Sequence, residues 1–287
     1  MPELPEVELL VRHLAPRLEN RTIQRVEIRR SRVLRPTRPA DLKRALTGAR
    51  FLGLTRRAKY LHFTLRTAAG EGTFGLFGHL GMTGRMFLQP AAGPFPKHTA
   101  VALYLGGEIF VFADTRYFGR FTLDPGTLDG LGPEPLGAEF TADYFAQALK
   151  RSAQAIKVKL LDQSLVAGLG NIYACEALFR ARISPRLAAR RLTLAQIKRL
   201  RRALRKTLAD AIRAGGTVPL DWPGTGDGGG LFYFGRAEGT RDYEEPLEVY
   251  DREGAPCPVC RTPIRRLVQA ARSTFYCPRC QCAAARL

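Results

Sequence analysis

No run of about eighteen apolar residues occurs in this chain of 287, which excludes a membrane-spanning helix. Its opening lacks the basic stretch and apolar stretch of a secretory signal, so a reducing, bacterial-type cytoplasm is expected and no membrane partner. Acidic residues are scarce, 26 against 45 lysines and arginines, and none occurs between Ala177 and Ala209. A formal charge of +19 argues for a polyanionic partner; a solvated basic surface is the competing reading. Cysteine is sparse as well: Cys175 stands alone in an apolar helical stretch and reads as core, and the other five of six crowd the end of the chain. No internal repeat is found, so no solenoid is expected. What remains is an ordinary globular composition, 45% hydrophobic and 25% charged, at a length that suits two domains.

The hydrophobic period divides the chain. Val7, Leu10, Val11, Leu14 and Leu18 lie on one helical face, with Pro5 near the first turn and Glu6 and Glu8 at the positive end of the helix dipole. Residues 22–123 then read as about eight strands with glycine-rich breaks, a β-sandwich. The stretch 124–142 is rich in proline and glycine and reads as a linker. Helices are expected within 141–151, 156–165, 171–181 and 193–214, the last opening on a capping box of Thr193 and Gln196. Residues 215–246 are glycine-rich and unpatterned and read as a mobile loop. The expectation is an α+β multidomain protein: residues 1–123 a helix plus β-sandwich, 143–246 a helical domain, and 247–287 a cysteine-rich module.

Cys257-x2-Cys260 and Cys277-x2-Cys280 form two knuckles whose spacing suits four thiolates around one structural Zn²⁺, with no open position for catalysis. Cys282 lies near the fourth ligand but out of register for a knuckle. The intervening residues read as a hairpin with Arg272 at its tip, a natural phosphate clamp. SLVAGLGNIYA at 164–174 is a glycine-punctuated turn ahead of a helix, whose amides suit phosphate. At the other end, removal of Met1 would give Pro2 a free secondary amine, largely neutral near pH 7 and able to form iminium adducts with sugar aldehydes. Glu3 and Glu6 would then flank it as proton donor and acceptor. An N-terminal helix cap with incidental acids explains the same residues.

MPELPEVE, LGMTGR at 80–85, DTRYFGRF at 114–121, LGPEPLG at 131–137, the long run 156–179 and RSTFYCPRCQ at 272–281 resemble, in order, the formamidopyrimidine-DNA glycosylase family. The resemblance implies a bifunctional enzyme that flips a damaged nucleotide out of duplex DNA, releases 8-oxoguanine or a formamidopyrimidine, and cuts the strand by β- and δ-elimination. It implies a helix–two-turn–helix motif in the helical domain. It casts Pro2 as nucleophile, Glu3 as acid and base at the ring oxygen and Glu6 as its support. It has Lys59, Asn171 and Arg272 hold phosphates, Lys157 lie close to the lesion strand, and His98 touch backbone. Met82, Arg116 and Phe118 match the residues that fill the gap and meet the orphaned cytosine. By type alone, Met82 and Phe118 read as core and Lys59 as an exposed lysine.

Two departures stand out. The stretch 215–250 is longer and richer in glycine than the family's usual one, so no lesion contacts are assigned there, and the tail after Gln281 is unusual. The competing functions are an endonuclease VIII-type glycosylase for oxidised pyrimidines and a non-catalytic DNA-binding zinc protein. Nothing suggests an oligomer, and a monomer is expected.

Overall fold

The computed structural model describes residues 2–215 and 247–282. The expected mobile loop from 216 to 246, the processing of Met1 and the tail beyond Cys282 lie outside the described residues. The chain forms two compact units, 2–129 and 130–214 with 247–282.

The first unit opens with α1 (Leu4–Leu18), whose buried face is Val7, Leu10, Val11, Leu14 and Leu18, as the period predicts. Eight strands follow: β1 (Arg25–Ile28), β2 (Arg50–Arg57), β3 (Tyr60–Arg66), β4 (Thr73–His79), β5 (Gly84–Pro90), β6 (Thr99–Tyr104), β7 (Glu108–Asp114) and β8 (Arg120–Thr122). They make two antiparallel sheets of four, ordered β1-β6-β7-β5 and β2-β3-β4-β8. Between β1 and β2 the chain departs from the strand reading. Ser31–Leu34 form a 3-10 turn and Pro39–Leu46 form α2, which buries Leu42 and Leu46. Pro39 starts that helix, and Asp41 in its first turn suits the dipole.

Phenylalanines join the two sheets. Phe63 of β3 meets Phe110 of β7 edge-on with ring centroids 5.7 Å apart, and Phe110 stacks on Phe121 of β8 at 6.0 Å. Such pairs add about 0.5–1.5 kcal/mol each beyond their buried area.

The topology has a consequence for function. The chain crosses from one sheet to the other through residues 80–83, between β4 and β5, and crosses back through 115–119, between β7 and β8. Since β4 pairs with β8 (His79 opposite Arg120) and β5 with β7 (Gly84 opposite Asp114), the two corners must lie side by side.

The second unit holds α3 (Ala142–Lys150), α4 (Ile156–Leu160), α5 (Asn171–Arg180) and α6 (Leu194–Ala214). The Thr193–Gln196 capping box is present, with Thr193 N–H donating to Gln196 Oε1 at 2.9 Å and Gln196 N–H to Thr193 Oγ1 at 3.3 Å. The expected linker is, from residue 130, stitched into this unit. Gly132 N–H donates to Gln163 O at 2.8 Å, and Arg205 of α6 donates to the carbonyls of Pro135 and Gly137 at 2.9 Å each. Prolines lack the N–H groups that would build a helix or ladder here, and Arg205 satisfies two of the stretch's carbonyls instead.

The C-terminal segment that carries the hairpin β9 (Arg265–Gln269) and β10 (Arg272–Tyr276) is fastened to the helices by two buried side chains. Glu176 of α5 accepts the backbone N–H groups of Glu248, Val249 and Tyr250 at 2.8–2.9 Å. Burial pushes its carboxyl above the ordinary value despite these three donors. Gln281 donates to Ile183 O and accepts from Cys277 N–H. Glu176→Ala, which strands three inward-facing amides, should destabilise the zinc-loaded protein by roughly 3 kcal/mol or more in denaturant melts; a change below about 0.5 kcal/mol would show that the amides find other partners.

Candidate functional site

In the first unit, Glu3 caps α1 and its backbone N–H donates to the carboxylate of Glu6 at 2.8 Å. Pro2, Glu3 and Glu6 are all buried. The arm ahead of the helix is thereby tied to the first turn of α1 through the Glu6 carboxylate.

Lys59 sits in the two-residue turn between β2 and β3, where Ala58 takes a positive φ of 53°. It is 9% exposed, so it is not the solvated lysine that its type suggests. Arg56 ties this turn to α1: its Nε donates to Glu8 at 2.8 Å and its Nη1 to the carbonyl of Ala58 at 3.0 Å. Burial pushes the Glu8 carboxyl up, but Arg56 and Arg12 outweigh it and hold the pKa below the ordinary value. The first turns of α1 and the Lys59 turn are thus braced by one ion pair.

Next to Lys59 lies His79, which the sequence reading missed. Its ring is 4.6 Å from that of Tyr60, and its Nδ1 accepts the N–H of Gly81 at 3.0 Å. Burial, with the charges of Lys59 and Arg120, lowers its pKa to about 4, so the ring is neutral at physiological pH. Its imidazole anchors the start of the corner that carries Met82.

The two corners bring Met82, Arg116 and Phe118 together. Arg116 Nη1 lies 3.4 Å from Met82 Sδ, and the Arg116 guanidinium lies 4.7 Å from the centre of the Phe118 ring. Met82 is 37% exposed and Phe118 46%, so neither is core. An exposed Met and Phe flanking an arginine suit insertion between bases, with the guanidinium free to donate to a base edge.

Asp114 holds this cluster, and the sequence reading gave it no role. It is buried; its Oδ1 accepts from Thr83 Oγ1 at 2.6 Å and Arg116 N–H at 3.1 Å, and its Oδ2 accepts from Gly119 N–H at 2.8 Å. Two glycines allow the approach. A Cβ on Gly81 (φ +59°) would stand 2.7 Å from Gly119 N, and one on Gly119 would stand 2.6 Å from His79 O. The available signal was Asp114 itself, an acid closing a buried apolar strand just before a loop.

His98 adjoins the same corner. Its carbonyl accepts from Asp114 N–H at 3.1 Å, and its Nδ1 lies 3.4 Å from Tyr117 Oη.

In the second unit, Asn171 opens α5 and its side-chain amide donates to Ser273 O at 2.9 Å, next to Arg272 at the start of β10. A helix N-terminus and the exposed hairpin arginine therefore share one place. Lys157, by contrast, is 0% exposed, so a direct DNA contact would need its ammonium to become accessible.

The sulfurs of Cys257, Cys260, Cys277 and Cys280 all lie within 4.8 Å of one another, with Cys257–Cys280 at 3.9 Å and Cys260–Cys277 at 3.4 Å. Disulfides would need about 2.05 Å. A zinc tetrahedron with bonds of about 2.3 Å has edges near 3.8 Å, so the set fits one structural Zn²⁺. Cys175 packs in the apolar cluster beneath, with Phe179, Val249 and Phe275.

Two predictions follow from these arrangements. Asp114→Ala should quicken amide exchange at Gly119 and Arg116 roughly tenfold or more; unchanged protection would refute Asp114 as the tie. Purified protein should carry one zinc per chain. Chelation should abolish the near-ultraviolet circular dichroism of the Tyr250–Phe275 cluster, and a metal-free protein with an unaltered spectrum would refute a structural site.

Family models match the chain in three consecutive stretches: the formamidopyrimidine-DNA glycosylase N-terminal domain over residues 1–121, the H2TH domain of the same glycosylases over 131–220, and the zinc finger found in FPG and IleRS over 254–281. Formamidopyrimidine-DNA glycosylases of Thiobacillus denitrificans and Thermus thermophilus are 43% and 42% identical to it over 98% of this chain and over 100% and 98% of their own. Among solved structures, MutM bound to DNA containing carbocyclic 8-oxo-G aligns with a TM-score of 0.84 at 33% identity over 98% of this chain and 100% of that one. Lactococcus lactis Fpg bound to abasic-site DNA aligns at 0.84 and 33%, over 97% and 99%.

Proposed function

The chain belongs to the formamidopyrimidine-DNA glycosylase family, and from that membership we propose how its residues divide the work. It is a DNA glycosylase of base excision repair for oxidised bases, with abasic-site lyase activity, acting on damaged duplex DNA. Its preferred lesions are oxidised purines, 8-oxoguanine and formamidopyrimidines. Identity to formamidopyrimidine-DNA glycosylases over the whole chain favours this reading over an endonuclease VIII-type glycosylase, and the matched N-terminal glycosylase domain favours it over a non-catalytic zinc protein.

With Met1 removed, the neutral amine of Pro2 attacks C1′ of the flipped nucleotide, the bond to the damaged base breaks, and the departing base takes up the proton that the amine loses. Glu3 protonates the ring oxygen as the sugar opens, leaving an iminium between Pro2 and C1′. That cation acidifies the C2′ proton, whose loss expels the 3′ phosphate; a second elimination expels the 5′ phosphate. Glu6 holds the Glu3 backbone, so it positions both groups. Lys59, Asn171 and Arg272 bind phosphates, while Met82, Arg116 and Phe118 occupy the gap and face the orphaned base. Lys157 and His98 support the lesion strand and its backbone. The enzyme works as a monomer in the bacterial cytoplasm, at the nucleoid.

The observation that carries this reading is the arm itself: a buried Pro2 followed by Glu3, whose N–H is held by the buried Glu6 carboxylate. Borohydride trapping on a duplex with 8-oxoguanine opposite cytosine tests it. The crosslinked peptide should begin at Pro2; Pro2→Gly should weaken base release and strand cutting, and Glu3→Gln should abolish excision while sparing binding. A crosslink at a lysine, or full activity of Pro2→Gly, would overturn the assignment.

A further inference from the structure

The second unit contains a cleft of about 630 Å³ that none of the proposed chemistry uses. It lies between the end of α5, the middle of α6 and the zinc knuckles, and its walls include Arg182, Arg199, Arg202, Lys206 and Val259. With Arg180, five cationic side chains face two acidic ones, Asp210 and Glu248. Both acids are already engaged: Arg180 pairs with Glu248 and with Asp210, and Lys206 with Asp210. Among the described residues, the Arg199 side chain donates only to the carbonyl of Ala181. Arg182 and Arg202 are exposed, and among the described residues their side chains have no hydrogen-bond or ion-pair partner. Loaded with zinc, the four thiolates are formally dianionic, and the cleft still keeps net positive charge.

Arg182 carries a second signal. It follows the last turn of α5 with φ +54°, its N–H bonded to Phe179 O at 2.9 Å and the N–H of Ile183 to Leu178 O at 3.0 Å. That is the helix-ending pattern in which glycine is the usual residue, because a side chain there is strained. Here an arginine stands at the position and projects its charge at the cleft mouth.

The cleft also has an apolar side. Val259, between the first two zinc ligands, is 58% exposed, and Phe179 and Ala203 also line the walls. A concave site with an apolar wall and two uncommitted guanidinium groups suits carboxylates flanking an apolar side chain. A duplex backbone is convex and carries no such side chain.

On the proposed function, its place in the fold leaves it open while DNA is bound. The end of this unit assigned there to phosphate is where Asn171 meets Ser273 beside Arg272. The cleft lies at the far ends of the same two elements. Arg180 is nine residues along α5 from Asn171, about 13 Å, and Cys280 lies beyond the opposite end of β10 from Arg272.

We propose that this cleft is a docking site for an acidic peptide segment of a partner protein, with carboxylates on Arg182 and Arg202 and an apolar side chain on Val259. The site recruits a partner to the enzyme while the enzyme holds DNA.

The test uses zinc-loaded, full-length protein and a fluorescein-labelled peptide, Asp-Glu-Leu-Asp-Glu, read by anisotropy in the presence and absence of a saturating abasic-analogue duplex. Binding should survive the duplex. It should weaken roughly tenfold or more in Arg182→Gly, in Arg202→Gln and when serine replaces the peptide's leucine. Arg182→Gly is informative because glycine suits that backbone, so its melting temperature should hold or rise while peptide affinity falls. Strand cutting by both variants should stay within about twofold of the parent. Displacement of the peptide by the duplex, or equal affinity of both variants, would overturn the proposal. So would a loss of duplex affinity in the variants with a shallower salt dependence, which would make the cleft a second DNA contact.

Discussion

Two sheet-crossing corners meet backbone to backbone, and one buried carboxylate holds them. Because β4 pairs with β8 while β5 pairs with β7, the chain leaves one sheet and returns to it at adjacent points. Asp114 accepts three hydrogen bonds there, from both corners, and Gly81 and Gly119 remove the Cβ atoms that would keep them apart. A carboxylate with three donors is costly to loosen, because each stranded donor loses its water as well as its partner. This tie allows Met82 and Phe118 to stay exposed without collapsing inward, with Arg116 between them.

The same economy of parts appears in the neighbouring arm and Lys59 turn. Glu6 fixes the arm through a backbone amide, and Arg56 joins α1 to the Lys59 turn. His79 links that neighbourhood to the Met82 corner through its acceptor nitrogen, and its lowered pKa keeps the link from titrating near neutrality. In the proposed mechanism, the nucleophile, the phosphate-binding lysine and the wedge therefore share a few short-range polar contacts.

In the helical unit, polarity runs along α5 and β10. One end gathers a helix N-terminus and a hairpin arginine, which suits phosphate. The other gathers the zinc knuckles, the end of α5 and the basic face of α6. Glu176 ties α5 to residues 248–250, and Gln281 ties the second cysteine knuckle to Ile183, so the helices and the cysteine module share buried hydrogen bonds. On the two proposals together, the excess of positive charge serves two ends: the cleft would account for arginines that lie away from Asn171 and Arg272.

Much of this was legible without coordinates. The face of α1, the capping box of α6 and the two cysteine knuckles depend on spacing along the chain, and helical period, cap geometry and metal-ligand spacing act over a few residues. Short α2 was not legible, since eight residues between prolines and arginines carry too little period to stand out. Met82 and Phe118 looked like core and Lys59 like surface, and each proved the reverse, because exposure depends on what lies across from a residue. Asp114 was visible only as one acid in a motif. Local order along the chain decided which helices form and where a metal binds. Which corner meets which, and hence which side chains share the wedge, was decided by strand pairings between distant segments, whose free energy no single stretch of sequence contains.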